Sequence, residues 1–311
     1  MTSSLNSRES VRDAQDRLRL LGHGPLDDPP GELGPATSVA VQAFQRERGL
    51  PITGELDNET WSRLVEAGWS LGSRLLFVSR PLLRGDDVAD LQEALALLGF
   101  DPGRIDGIFG SMTAGALADF QTNCALEASG VLTRESLLEL SRLSSRMAGR
   151  RPVTEARDAA GLQARHARRL VILVGEGEFA DDLVESLAPL ATIVTTGQRT
   201  AQEAAALAND EGAGLVLAVA EIETATGIAI HYFASHRSKS LLGESLADEV
   251  ARHIRAGSAL PVAVSGMSIP ILRETLMPAL DFSLPCLDPH LRLSATRATT
   301  EAVARLFDST R

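Results

Sequence analysis

The chain repeats itself. VRDAQDRLRLLG at 11–22 returns as VADLQEALALLG at 88–99, and GPATSVAVQAFQ at 34–45 returns as GSMTAGALADFQ at 110–121. The offset is 77 for the first pair and 76 for the second, which is one deletion in a loop. A repeat is one supersecondary unit used twice, so it constrains the fold more than any single residue can. In each copy the first segment carries apolar residues three and four apart, Val11, Ala14, Leu18 and Leu21 in one and Val88, Leu91, Leu95 and Leu98 in the other. That spacing is one face of a helix. Gly22 and Gly99 follow, where a left-handed residue ends a helix without Cβ strain. A second helix is expected from Thr37 or Thr113, the hydroxyl capping free N–H groups, with Val41 and Phe44 or Leu117 and Phe120 turned inward. Beyond Gln45 or Gln121, a loop through Gly54 or Gly130 leads to Thr60 or Thr133 and a third short helix ending at Leu64 or Leu140. The pattern predicts two all-α three-helix modules, over 8–67 and 83–142, with a connector at 68–82. Modules this small bury little apolar surface alone, so docking through 68–87 is expected.

Charge narrows the partners. A net charge of −11 repels phosphates on average, which argues against nucleic acid or an anionic membrane as the main partner. Cys124 and Cys286 are too far apart in the chain to suggest a disulfide framework or a cysteine metal site. The opening MTSSLNSRESV lacks the apolar core of a secretion signal, and no stretch reaches the roughly 18 apolar residues of a membrane span. The expected compartment is the cytoplasm, with no transmembrane segment. Residues 143–168 are rich in arginine and read as a linker.

From 169 to 311 the pattern changes to an α/β domain. Buried-strand runs at RLVILV, ATIVTT, GLVLAVAEI and GIAIHYF, and a last one over 279–282, alternate with helical stretches near 183–187, 200–210 and 244–257. Such alternation predicts a mixed, mostly parallel sheet covered by helices. Gly175 and Gly177 after the first strand complete neither the dinucleotide fingerprint nor the GxxxxGK[ST] loop, so no nucleotide is expected. A final helix is expected from about Thr300 in the segment 294–311, whose exposed threonines are open to phosphorylation.

The repeat resembles the peptidoglycan-binding-like domain family, whose hallmark is a Leu-Gln helix, a Gly, a turn reading Asp-Gly-x-Phe-Gly-x-x-Thr and a helix ending Phe-Gln. The second copy has Leu91, Gln92, Gly99, Asp106, Gly107, Phe109, Gly110, Thr113, Phe120 and Gln121 in that order. The resemblance implies ligand-binding positions at Asp106, Gly107, Phe109, Gly110, Thr113 and Gln121, or a bracing role for them with recognition in the adjoining groove. In the first copy LDDPPGELGPAT replaces the turn, keeping Gly34, Pro35 and Thr37.

The second half resembles the zinc-dependent N-acetylmuramoyl-L-alanine amidases. GEG stands where that family has Gly-His-Gly, ALANDEGAGLVLAVAEI is similar to its Ala-Asn-x-x-x-Ala-Asp stretch before Ser-Ile-His, and ILRETLMPALDFS is similar to the stretch ending in its catalytic glutamate. Placed on those motifs, Glu176 replaces the first histidine ligand, Ala220 the second, and Ser283 the glutamate, while the loop offering the carboxylate ligand is shortened. Zinc hydrolysis needs three protein ligands and an open position for water. No catalytic residue and no metal are therefore expected. His231 and His236 are the nearest histidine pair, but one lies in a strand pattern and the other beyond it. Ser265 has no identifiable base.

The order of parts, two binding modules and an amidase-like domain, resembles actinobacterial CwlM-type proteins. The resemblance implies a cytoplasmic pseudo-amidase, a non-catalytic protein that binds peptidoglycan or its precursors and engages cell-wall biosynthetic proteins to regulate cell-wall synthesis. The alternative is an active N-acetylmuramoyl-L-alanine amidase that requires zinc.

Overall fold

The computed structural model describes residues 7–24, 27–144, 168–197, 199–257 and 260–308, which fall into two units divided near residue 157. Nearly all of the arginine-rich stretch, 145–167, lies outside the described residues.

The first unit holds the repeat as two sets of three helices: α1 (Arg8–Leu20), α2 (Pro35–Arg48) and α3 (Asn58–Ala67), then α4 (Asp86–Leu97), α5 (Ser111–Asn123) and α6 (Arg134–Ser144). Each set closes its own core. Val11, Leu18, Val41, Phe44 and Leu64 pack together in the first, and Val88, Leu91, Leu95, Phe120 and Leu140 in the second. Gly22 and Gly99 follow α1 and α4 at φ +85° and +94°, the left-handed geometry the repeat requires there.

Helices α2 and α5 begin two residues earlier than expected, at Pro35 and Ser111 after Gly34 and Gly110. Proline at the first helical position has its φ already set, which favours the earlier start of α2. Thr37 and Thr113 are consequently buried inside the first turn and do not cap it. The Thr37 amide is met by the Asp28 carboxylate, a bond that holds the Asp28 carboxyl below its ordinary pKa.

The connector belongs to the second module. Leu76 is fully buried in its core with Leu71 and Leu83 alongside, and the Leu132 amide donates to the Leu76 carbonyl at 2.9 Å. Arg74 lies over the Trp69 ring at 4.4 Å and reaches the buried Asp87 carboxylate at 2.7 and 3.0 Å. Docking between the modules takes the form of an ion pair, Arg48 to Asp86 at 2.8 and 2.9 Å, while the two apolar cores stay separate.

The second unit runs β1 (Leu170–Val174), α7 (Glu178–Leu187), β2 (Thr192–Thr195), α8 (Ala201–Glu211), β3 (Leu215–Glu221), β4 (Ile228–Phe233), α9 (Leu241–Gly257), β5 (Val262–Met267), α10 (Pro270–Glu274), β6 (Ala279–Leu284) and α11 (Pro289–Asp308). The sheet order is β2-β1-β3-β6-β4-β5, parallel throughout except between β4 and β6. One face, with Val171, Leu173, Leu217, Val219, Leu280 and Phe282, is covered by α7, α9 and α11. The other, with Ile172, Val216, Ala218, Phe233 and Ala279, meets α8 and α10.

Two elements depart from expectation. Strand β5 was not anticipated, because VAVSGM is short, interrupted by Ser and Gly, and lies at the sheet edge where burial demands little. Helix α11 starts at Pro289, well before Thr300, and its face of Ala295, Ala298, Ala302, Val303 and Leu306 packs into the core. Three of the threonines expected to be exposed are not: Thr296 and Thr299 are buried, and the half-buried Thr300 has its hydroxyl 2.8 Å from that of Ser186, while Thr310 lies outside the described residues.

Candidate functional site

Parallel register brings two of the three amidase-like positions together. Ala220 at the end of β3 and Ser283 near the end of β6 are direct partners. Alternation along the strands puts both on the face shared with α8 and α10. Glu176 lies exposed in the short turn, residues 175–177, between β1 and α7. That turn is held tightly. Gly175 has φ +113° and passes so close to β3 that a Cβ would overlap the Val219 carbonyl oxygen.

Glu221 was missed by sequence reasoning. The N-cap of α7 is Gly177, which offers no side chain, and the Glu221 carboxylate accepts from the Phe179 amide at 3.1 Å in its place. A glycine N-cap after a strand was the available signal, but only the β1–β3 pairing shows which residue answers it.

The donor set does not fit zinc. A catalytic zinc site takes three protein nitrogen, oxygen or sulfur donors around an open water position, whereas the positions here offer one carboxylate, one methyl and one neutral hydroxyl. Among the described residues no group of three His, Cys, Asp or Glu side chains is arranged to hold a metal ion. The histidine pair does not converge either. His231 faces Ser265 across β4 and β5, and His236 accepts from Arg237 Nε at 3.1 Å.

The sheet face around Ala220 and Ser283 is ordered in rows. Ala220, Ser283, Ala229 and Ala263 stand side by side on β3, β6, β4 and β5. The next row reads Ala218, Asp281, His231 and Ser265 on the same strands. Ser265 does have a base beside it, since His231 Nδ1 lies 2.8 Å from its hydroxyl oxygen. Burial pushes the Asp281 carboxyl up to about 6 and lowers the His231 imidazole, the latter partly countered by its bond with Ser265.

In the second helical module most of the motif residues brace the turn. Phe109, Thr113 and Gln121 are 0%, 1% and 0% exposed, so their side chains cannot touch a ligand. Gln92 Nε2 donates to Asp106, the Ile108 carbonyl and Thr113 at 3.0 to 3.1 Å, and its Oε1 accepts from the Asp106 and Gly107 amides. Gln121 ties the Gly130 amide, the Val131 carbonyl and Ser136 at 2.8 to 2.9 Å. Gln15 and Gln45 do the same in the first module. Asp106 and Gly110 remain partly accessible, whereas Gly107 is buried.

Comparison with known proteins agrees with this architecture. The peptidoglycan binding domain family matches residues 7–64 and 84–138. N-acetylmuramoyl-L-alanine amidase CwlM of Mycobacterium tuberculosis is 32% identical over 307 residues, covering 85% of this chain and 75% of its own. The chain belongs to the CwlM family. It joins two peptidoglycan binding modules to an α/β domain. N-acetylmuramoyl-L-alanine amidase CwlL of Bacillus licheniformis is 30% identical over 158 residues, and this CwlM-family chain spans 44% of it. Among solved structures, N-acetylmuramoyl-L-alanine amidase AmiC2 of Nostoc punctiforme aligns at 12% identity and TM-score 0.36, over 44% of this chain and 95% of its own. Ami1 of Mycobacterium smegmatis aligns at 12% identity and TM-score 0.37, over 45% and 97%. No helix among the described residues of the CwlM-family chain is long and apolar enough to cross a membrane.

Proposed function

We propose that the chain is a pseudo-amidase, a non-catalytic protein that binds peptidoglycan or its precursors and regulates cell-wall synthesis through its surfaces, acting in the cytoplasm with biosynthetic proteins as partners. The observation that carries this reading is the pairing of Ala220 with Ser283 on adjacent strands. A methyl group and a hydroxyl stand side by side where metal-assisted hydrolysis asks for a ligand and a base. Metal-assisted attack of water on an amide needs three protein ligands around the ion as well as a base, and one exposed carboxylate, Glu176, does not hold the ion alone. The modules support the binding half of the reading through their family.

The test is direct. Purified chain is incubated with zinc and a muropeptide, and free stem peptide is followed by chromatography. No release above buffer is expected, whereas metal-dependent release replaces this reading with N-acetylmuramoyl-L-alanine amidase activity, the reading that the relatives' names favour. Cell fractionation tests the compartment separately.

A further inference from the structure

On the part of the sheet face that α8 and α10 leave uncovered, Asp281 of β6, His231 of β4 and Ser265 of β5 form a line across neighbouring strands. His231 Nδ1 lies 2.8 Å from the Ser265 hydroxyl oxygen, which leaves Nε2 directed away from Ser265. Asp281 is the residue left over. It is half-buried, it makes no hydrogen bond or ion pair among the described residues, and loss of hydration alone accounts for its raised pKa. A carboxylate withdrawn from water is costly until a cation or an N–H donor meets it. Nothing bulky stands in the way, because the row above holds only Ala220, Ser283, Ala229 and Ala263, with the two end alanines exposed.

We infer that Asp281 binds the primary ammonium group of a peptide lying across the alanine row, with His231 Nε2 donating to a carbonyl of the same peptide. This deepens the function proposed above and rests on it, the peptide being the amine-bearing peptide part of a cell-wall precursor. An ammonium group brings full charge and three donors, which suits a half-buried carboxylate without partners better than an amide or a hydroxyl does. A divalent cation suits it less, since calcium and magnesium take six or more oxygen ligands and the row offers few.

The experiment is calorimetric titration of the full chain with two pairs of ligands. The first pair is a muramoyl peptide ending in lysine, with the side-chain amine free or acetylated; the second is Nα-acetyl-lysine amide, with its side-chain amine free or acetylated. The free-amine form of each pair is expected to bind about tenfold tighter or more, the range of a charge-assisted hydrogen bond. Asp281→Asn removes that preference and leaves the affinity for the acetylated forms unchanged. This variant removes a half-buried charge and is expected to stay folded, which circular dichroism verifies. Ala229→Leu, which raises the floor, weakens both forms. Equal affinity for free and acetylated forms in the unaltered chain overturns the inference, as does a preference that persists in Asp281→Asn. If both muramoyl peptides bind equally, the ammonium site is wrong and precursor binding stands. If only the lysine amides are discriminated and no muramoyl peptide binds, the ammonium site stands and precursor binding is wrong. Binding of neither pair refutes both.

Discussion

Buried glutamines carry more of the helical modules than their count suggests. Gln92 alone makes five hydrogen bonds that close the turn between α4 and α5. Gln92→Leu keeps the volume but leaves the Asp106 and Gly107 amides without their acceptor, so a loss of about 3 kcal/mol is expected in urea unfolding, since each buried unsatisfied group costs roughly 1–3 kcal/mol. Asp281 should behave in the opposite way. Its folded pKa of about 6 exceeds the 3.8 of a free aspartate, so the folded state holds the proton more tightly. The penalty is absent below about pH 4, grows as pH rises toward 6 and is constant above, where it approaches roughly 3 kcal/mol. Asp281→Asn is therefore expected to raise Tm relative to the unaltered chain at pH 7.5 and to leave it unchanged at pH 4. His231 titrates in the other sense, its lowered pKa costing stability as pH falls below 6.5, but it is common to both proteins and drops out of the difference. The glutamines were legible in the sequence as part of a repeated motif. The His231–Ser265 contact was not, because register alone joins residues 34 apart.

At the scale of elements, periodicity located most helices and strands and local chemistry misplaced some of their ends. Threonine in front of an apolar run is a fair capping signal, yet Thr37 and Thr113 are drawn inside α2 and α5 by the glutamine side chains they accept from. Helix α11 hides its apolar face in alanine and threonine, which read as surface until packing shows otherwise. Helix α7 depends on a residue outside itself. Glu221→Ala removes the side-chain acceptor of the Phe179 amide and should cost about 1 kcal/mol, the usual value of a cap. Faster hydrogen exchange at Phe179, with the end of β3 unchanged, is the expected signature, and unaltered exchange there would refute the capping role.

The whole molecule consists of two units with independent cores, since the apolar clusters of 7–144 and of 168–308 share no residue. A fragment ending at residue 157 is accordingly expected to keep its helical circular dichroism and its cooperative unfolding when made alone. A broad, non-cooperative melt would show that the modules need the second unit. What the sequence by itself determined was the repeat, the helical class of the first half and the alternating class of the second, because each is a matter of which residues follow one another. The tertiary structure alone decided that Ala220 and Ser283 are neighbours, that Asp281 and His231 share a row and that Glu221 caps α7. Those facts depend on strand order and register, which arise from long-range pairing and packing that no local spacing encodes.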